Sequence, residues 1–188
     1  MNVIKKQEFL KNKFEYLSLV EKGRAFIYPT DTIYGIGCDA TNTKAVKHVY
    51  SLKRRINKPL SVIAPSKKWI LDNCKVGKEE KKWLGKLPGK YTLILKLKNK
   101  KAVSRSVHLG DYTIGVRIPK HWFSSIVYKY GKPIVTTSVN ISEMAIMTSF
   151  KDLNKTIREK VAFVIYEGVK KAHPSIIIDL VKGKVKKR

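Results

Sequence analysis

Hydrophobic residues recur along the chain with two different periods, which together predict alternating helices and strands. Apolar positions at helical spacing predict helices over residues 3–21, 43–52, 66–72, 121–130 and 152–160. Short apolar runs between turn signals predict strands over residues 24–28, 60–64, 91–97, 114–118, 133–137, 162–166 and 175–180. We therefore expect one α/β domain over residues 1–188, built on a twisted, mostly mixed sheet that is flanked by helices.

Turn and capping residues set the limits of several of these elements. Thr43 and Ser66 precede apolar helical patterns and are side chains that typically cap a helix N-terminus. Gly23 and Gly131 follow the first and fourth helical patterns, where a glycine typically ends a helix. Pro29 ends the first predicted strand, because proline has no backbone N–H to donate to a sheet.

The composition is that of a folded, non-membrane protein. Of the 188 residues, 43% are hydrophobic, and the longest apolar runs span about five to seven residues, against the roughly 20 that a bilayer requires. Residues 1–13 lack the apolar segment of a signal peptide. The two cysteines, Cys38 and Cys74, form neither a disulfide framework nor a zinc motif. We therefore expect a reduced, cytoplasmic protein that has no membrane partner.

The charge balance points to an anionic partner. Forty Lys and Arg residues against fourteen Asp and Glu residues give a formal net charge of +26. Such a charge favours binding to tRNA, rRNA, a nucleotide or an acidic membrane. A second explanation stays open: lysine greatly outnumbers arginine, so a lysine-rich genome could have scattered cations over a solvated surface.

Several common catalytic motifs are absent from the sequence. There is no P-loop motif of the form GxxxxGK[ST] and no Gly-x-Ser-x-Gly nucleophile elbow. The four histidines show neither HxxxH nor HExxH spacing. We therefore expect no metal ion held by protein side chains.

Polar clusters follow two of the predicted strands, and ligands of α/β proteins commonly bind beyond strand ends. Residues 29–37 combine the Asp31 carboxylate with the hydroxyl groups of Thr30, Thr32 and Tyr34. Residues 136–142 combine hydroxyl side chains with one amide. Each cluster is either a ligand-binding loop or an ordinary hydrogen-bonded turn.

Cations are concentrated at two further places. Lys53, Arg54, Arg55 and Lys58 place four cations within six residues, where a predicted helix ends. The negative end of the helix dipole explains part of this clustering, and a polyphosphate clamp explains the rest, because guanidinium forks and ammonium groups bind phosphate oxygens. Arg117 lies inside an apolar strand, where burial requires an anion: a ligand or a structural salt bridge.

Taken together, these clusters resemble the YrdC-type threonylcarbamoyl-AMP synthases in their short, single-domain form. The matching segments follow the family's order over residues 29–38, 53–60, 87–95, 115–119, 137–140 and 174–179. The resemblance implies a YrdC-like α/β fold with a deep, basic concave face.

The resemblance also implies an activity. Such an enzyme is a nucleotidyltransferase that joins L-threonine, bicarbonate and ATP into threonylcarbamoyladenylate and releases pyrophosphate, with magnesium accompanying ATP. The product serves tRNA modification through a downstream tRNA threonylcarbamoyltransferase, and direct contact with tRNA or other RNA is expected. The alternative is a noncatalytic RNA-binding module of the same fold, which the charge of +26 would also suit.

Individual site residues follow from the same resemblance. Lys53 and Arg55 would be the catalytic cations at the triphosphate. The residues implied to bind ATP are Arg55, Lys58, Thr113, Ser138, Asn140, Thr148 and Arg188. The residues implied to bind threonine are Thr32, Arg117 and Ser175, and none is implied to ligate a metal.

Three positions depart from the family's pattern. Glu143 stands where the family often has glycine, Ile176 where it has a second hydroxyl, and Ile63 where some members have histidine. The segment between Arg55 and Lys58 is also one residue shorter than usual. We expect these departures to affect substrate affinity rather than the fold.

Overall fold

The computed structural model describes residues 1–186 and contains a ten-stranded sheet. The strands are β1 (Asn2–Ile4), β2 (Phe26–Tyr28), β3 (Gly35–Gly37), β4 (Ser61–Ile63), β5 (Tyr91–Lys96), β6 (Thr113–Arg117), β7 (Ile134–Ser138), β8 (Phe163–Ile165), β9 (Ile176–Asp179) and β10 (Lys184–Lys186). Their order across the sheet is β1-β8-β2-β3-β7-β4-β6-β5-β9-β10. The sheet contains both parallel pairs, such as β4–β6, and antiparallel pairs, such as β4–β7, which confirms the predicted mixed sheet.

Helices connect these strands. The α-helices of the described residues are α1 (Lys6–Lys11), α2 (Lys13–Glu21), α3 (Thr43–Lys53), α4 (Lys67–Asn73), α5 (Lys78–Gly85), α6 (Arg105–His108), α7 (Phe123–Tyr130) and α8 (Lys155–Lys160). A 3-10 helix spans Phe150–Asp152. The predicted α/β class with flanking helices is therefore confirmed, whereas the assignment of residues 1–188 to a single domain stays a prediction.

Both faces of the sheet are buried at β2 and β8. Phe26 and Tyr28 of β2 point into an aromatic cluster that also contains Phe9 and Phe163. Ile27, between them, points to the opposite face and joins the larger core. Successive side chains of a strand face opposite ways, so this alternation places α1, α2 and α7 on one face and α3 and α8 on the other.

The first helical segment differs from the prediction of one helix over residues 3–21. Residues 2–4 form β1, which pairs in parallel with β8, and the helix is interrupted at Asn12. The strand is established by this pairing, in which Val3 lies opposite Val164, and Ile4 is the one buried residue of β1. Phe14, predicted to lie on the apolar face, is 79% exposed.

Two local details also correct the prediction. Asn42, not Thr43, caps α3, because its side chain accepts a hydrogen bond from the Ala45 N–H at 3.1 Å. Ser66 caps α4 as predicted, accepting from the Trp69 N–H at 3.0 Å. Residues 35–37, predicted as part of a polar loop, form strand β3, in which Gly37 lets the backbone of β7 approach closely.

Candidate functional site

A cavity of about 210 Å³ opens beside β3, β4, β6 and β7, and we call it the Arg117 cavity. Most of its polar lining consists of hydroxyl groups: Thr30, Tyr34, Ser61, Thr92, Thr136, Thr137, Ser138 and Ser175. The strand register explains this convergence, because Ser138 lies opposite Gly35 and Thr136 lies opposite Ser61. One cation, Arg117, completes the polar lining, and Ile33, Ile146 and Pro174 add apolar surface.

A second cavity of about 150 Å³ adjoins the first, and we call it the Thr113 cavity. Ser61 and Thr92 line both cavities, so the two form one groove. Gly115 lines the second cavity, and a Cβ atom there would lie 2.4 Å from the Ser61 hydroxyl oxygen. The missing side chain therefore allows Ser61 to occupy the floor of the groove.

Arg117 is held by a buried carboxylate. Its Nη2 donates to Asp31 Oδ1 at 2.6 Å, and both side chains are at most 7% exposed. Nη1 and Nη2 lie 3.4 Å from the Thr32 hydroxyl, and Nε has no partner among residues 1–186. The pair confirms the structural salt bridge that the sequence left open, and the loosely bound donors still leave capacity for an anionic ligand.

Asp31 also fixes the loop that carries it. Its second carboxylate oxygen accepts from the backbone N–H of Lys120 at 2.9 Å. The Thr30 hydroxyl donates to Ile33 O at 2.7 Å and lies 3.0 Å from the Thr32 hydroxyl. The polar loop is therefore a hydrogen-bonded turn that also lines a cavity, so both interpretations of its sequence apply.

Lys53 is buried at the end of α3 and reaches the loop after β7. Its ammonium donates to Ser138 O, Asn140 O and Asn140 Oδ1 at 2.5, 2.8 and 2.9 Å. Burial, and secondarily the charge of Arg55, lowers the pKa of Lys53 to about 7. All three N–H donors are committed to protein oxygens, so Lys53 would have to exchange one of them to contact phosphate directly.

Arg55 and Lys58 lie on the loop that follows α3. Arg55 donates through Nε to Lys58 O and through Nη2 to Pro59 O, both at 2.8 Å, which closes the loop around the guanidinium. The exposed Lys58 ammonium lies 3.0 Å from Glu143 Oε1. Glu143 has a positive φ of 70°, a conformation that favours glycine, and its carboxylate pairs with the cation predicted to bind phosphate.

The remaining predicted residues fall into three groups. Ser138 and Ser175 line the Arg117 cavity, and Thr113 lines the adjoining cavity. Asn140 accepts from the Ser138 hydroxyl at 2.7 Å but lines a separate cavity of about 160 Å³. Thr148 donates to Asp152 at 2.6 Å and is not brought to either cavity of the groove.

Arg188, which was predicted to bind ATP, lies outside the described residues. Two hydroxyl-bearing lining residues, Ser61 and Thr92, were not predicted from the sequence, whereas Thr136 belongs to the predicted polar cluster over residues 136–142. Thr92 is a polar residue inside a buried strand, and its hydroxyl lies 2.7 Å from that of Ser175. An isolated hydroxyl within an apolar run was the signal available for Ser61 and Thr92.

Two further properties concern what the groove and its surroundings contain. Among residues 1–186, no group of three His, Cys, Asp or Glu side chains is placed to hold a metal ion. Within the same part of the chain, no helix is long and apolar enough to cross a membrane. Cys38 and Cys74 are buried, unpaired thiols, and burial raises the pKa of each.

Comparison with known proteins assigns the chain to a family. The Sua5/YciO/YrdC family model, whose description is "Telomere recombination", matches residues 18–187. The chain belongs to the Sua5/YciO/YrdC family. The family resemblance predicted from the sequence is therefore confirmed.

Two relatives of the chain carry the name of one enzyme. A Buchnera aphidicola protein named threonylcarbamoyl-AMP synthase is 30% identical over 187 residues, covering 96% of this chain and 97% of that protein. A Methanocaldococcus jannaschii protein with a provisional threonylcarbamoyl-AMP synthase name is 39% identical, covering 95% of this chain and 82% of that protein.

Solved structures of the Sua5/YciO/YrdC family share the fold. P. abyssi Sua5 in complex with L-threonine superposes with a TM-score of 0.85 at 26% identity, covering 98% of this chain. The chain spans about half of that structure, 55% of its length. E. coli YciO superposes with a TM-score of 0.83 at 20% identity, covering 99% of this chain and 91% of that one, which supports the fold alone.

Proposed function

We propose that the chain is a threonylcarbamoyl-AMP synthase that makes L-threonylcarbamoyladenylate and pyrophosphate from L-threonine, bicarbonate and ATP. The observation that carries the proposal is the Arg117 cavity, where a buried guanidinium faces a ring of hydroxyl groups. A small amino acid with one carboxylate and one hydroxyl complements both features. The relatives named threonylcarbamoyl-AMP synthase and the threonine complex of P. abyssi Sua5 support the same substrate.

The threonine carboxylate would bind Arg117. Arg117 lines the cavity, and the 3.4 Å contacts of Nη1 and Nη2 with the Thr32 hydroxyl are long for hydrogen bonds. A bound carboxylate would therefore supply acceptors to a cation whose charge Asp31 already balances in part. The hydroxyl pair of Ser175 and Thr92 would meet the polar side of the amino acid.

ATP would occupy the Thr113 cavity, with its phosphates directed towards the loops of Arg55 and Ser138. The threonine amine attacks bicarbonate and water leaves, which gives a carbamate. A carbamate oxygen then attacks the α-phosphorus while pyrophosphate leaves with the bonding electron pair. Such a displacement needs alignment and charge neutralisation rather than a covalent nucleophile. Arg55 and Lys58 would provide positive charge beside the leaving group.

Magnesium would enter with ATP. The described residues include no carboxylate cluster that would bind the ion by itself, so phosphate oxygens and water would be its main ligands. When bound, it would neutralise phosphate charge. The protein itself would add the positive charges of Arg55 and Lys58 beside the phosphates. A cationic loop of this kind fits a nucleotide whose own phosphates hold the magnesium.

The cellular setting is part of the same proposal. The product would be consumed by a tRNA threonylcarbamoyltransferase, and the net charge of +26 supports contact with tRNA or other RNA. Two unpaired thiols support a reducing compartment, the cytoplasm. A noncatalytic RNA-binding module explains the charge but gives no reason for a buried guanidinium in a hydroxyl-lined cavity, which favours the enzyme.

Mass spectrometry of a complete reaction tests the proposal. The protein is incubated with threonine, bicarbonate, ATP and magnesium, and each component is omitted in turn. We expect the mass of threonylcarbamoyladenylate only in the complete mixture, together with pyrophosphate release that depends on threonine. Salt-sensitive retention of tRNA without pyrophosphate release would instead support the RNA-binding module.

A further inference from the structure

The segment between β8 and β9 forms one wall of the Arg117 cavity. We call residues 167–175 the strap; Pro174 and Ser175 at its end line the cavity directly. Ser175 then leads into β9, which pairs in parallel with β5 and places Thr92 next to the Ser175 hydroxyl. The position of the strap therefore sets the width of the cavity on the side of Pro174 and Ser175.

Tyr34 fastens the beginning of the strap. Its phenol donates to Gly168 O at 2.7 Å and accepts from the Glu167 N–H at 2.9 Å. Tyr34 is fully buried, and burial raises the pKa of its phenol to about 12, so it keeps the proton it donates at neutral pH. This contact joins the strap to the chain just before β3.

Lys170 fastens the middle of the strap to the loop that carries Asp31. Its ammonium donates to the backbone carbonyl of Thr30 at 3.1 Å, while its own backbone N–H donates to Thr148 O at 2.8 Å. The ammonium also lies 3.4 Å from the Glu167 carboxylate, and its side chain is 18% exposed. One lysine thus connects three segments that surround the cavity.

Glu167 extends the connection to the start of α7. Its carboxylate lies 3.1 Å from His121 Nε2 and accepts a hydrogen bond from the Trp122 indole. Glu167 therefore orients the Lys170 ammonium, because His121 and Trp122 hold the Glu167 carboxylate in place. Neither Lys170 nor Glu167 lines the Arg117 cavity, so both act on it only through the strap and the Thr30 loop.

We propose that Lys170 is a positioning residue that sets threonine affinity by holding the strap against the Thr30 loop. The proposal rests on the proposed function, because it takes threonine as the occupant of the cavity. Without the ammonium, the Thr30 carbonyl loses its donor, and Thr30 and Ser175, which both line the cavity, are no longer held at a fixed separation. The Thr113 cavity has no contact with Lys170, so ATP affinity stays unchanged.

The test compares Lys170→Met with Lys171→Met, since Lys171 is an exposed lysine of the same strap. Loss of one charged hydrogen bond predicts a KM for threonine raised by about tenfold in Lys170→Met, with the KM for ATP within about twofold of the original protein. Lys171→Met should change neither constant. Lys170→Arg, which can still donate to the Thr30 carbonyl, should restore most of the threonine affinity.

The outcomes separate this inference from the proposed function. No threonine-dependent product from the unmodified protein would refute the function itself. An active unmodified protein with equal constants in Lys170→Met and Lys171→Met would overturn the role of Lys170. An equal rise of the KM for threonine and the KM for ATP in Lys170→Met would also overturn it, because a general loss of stability is not selective for threonine. So would a threonine-induced shift in the unfolding midpoint that is the same in Lys170→Met and Lys171→Met.

Discussion

Replacing Arg117 by alanine perturbs two interactions whose sizes the structure allows us to separate. The first is the ion pair with Asp31 at 2.6 Å, in which both side chains are at most 7% exposed. Removing one partner of a buried ion pair leaves an uncompensated charge and costs about 3–5 kcal/mol in the free energy of unfolding. The second is the proposed bond to the threonine carboxylate, a charged hydrogen bond worth roughly 1.5–3 kcal/mol.

The second energy sets the expected kinetic effect. At about 1.4 kcal/mol per tenfold, it corresponds to a rise of about 10- to 150-fold in the KM for threonine. The KM for ATP should change far less, because Arg117 lines only the Arg117 cavity and not the adjoining one. Pyrophosphate release, measured at varied threonine and at varied ATP, gives both constants.

Asp31→Asn provides the matched control for stability. It removes the same ion pair but keeps Arg117 as the donor to a carboxylate, so it should destabilise the protein without a comparable loss of threonine affinity. Urea unfolding of both variants gives the free energies. If Arg117→Ala raised both KM values by equal factors, or if Asp31→Asn matched its threonine defect, Arg117 would not be the carboxylate-binding residue.

Three further outcomes follow from the site. Arg55→Ala should reduce product formation by at least about 100-fold, the scale for loss of one transition-state donor, and near-normal pyrophosphate release would refute its role. The pKa of Lys53 is lowered to about 7, so the unfolded chain binds more protons than the folded one between about pH 7 and pH 10, and the free energy of unfolding should rise across that window. Urea titrations at about pH 7 and pH 10 measure this rise, and Lys53→Met should abolish it. A rise of the same size in Lys53→Met would contradict the assignment. Chelating magnesium should abolish product formation yet leave the unfolding midpoint of the nucleotide-free protein unchanged, whereas a drop in that midpoint would show a metal held by the chain itself.

Each of the seven strands predicted from the sequence corresponds to a strand of the structure. The predicted strand at 91–97 corresponds to β5 (Tyr91–Lys96), and that at 133–137 to β7 (Ile134–Ser138). Both strands contribute fully buried residues, and buried positions are those that the hydrophobic pattern of a sequence predicts. The fold class could therefore be inferred before the strand order was known.

Elements without a clear apolar stripe were missed. Helix α5 (Lys78–Gly85) is mostly charged and buries only Leu84; its start depends on Glu80, which accepts from the Gly77 N–H at 2.9 Å. Strand β10 (Lys184–Lys186) is exposed throughout and exists because β9 offers an open edge for pairing. In both cases a local contact or a neighbouring strand determines the structure, and the hydrophobic periodicity of the sequence indicates neither.

The groove shows the same limit at the level of single side chains. Ser61 of β4 lies opposite Gly115 on one side and Thr136 on the other, so three strands contribute one row to its floor. The next row, Val62 with Val116 and Val135, points to the other face and is fully buried. A slip of one residue would exchange the two rows and put the hydroxyl groups in the core. Burial of the apolar row therefore fixes the strand register that places the polar row in the groove. The site depends on pairing between segments that are distant in the sequence, so no single sequence motif could predict it.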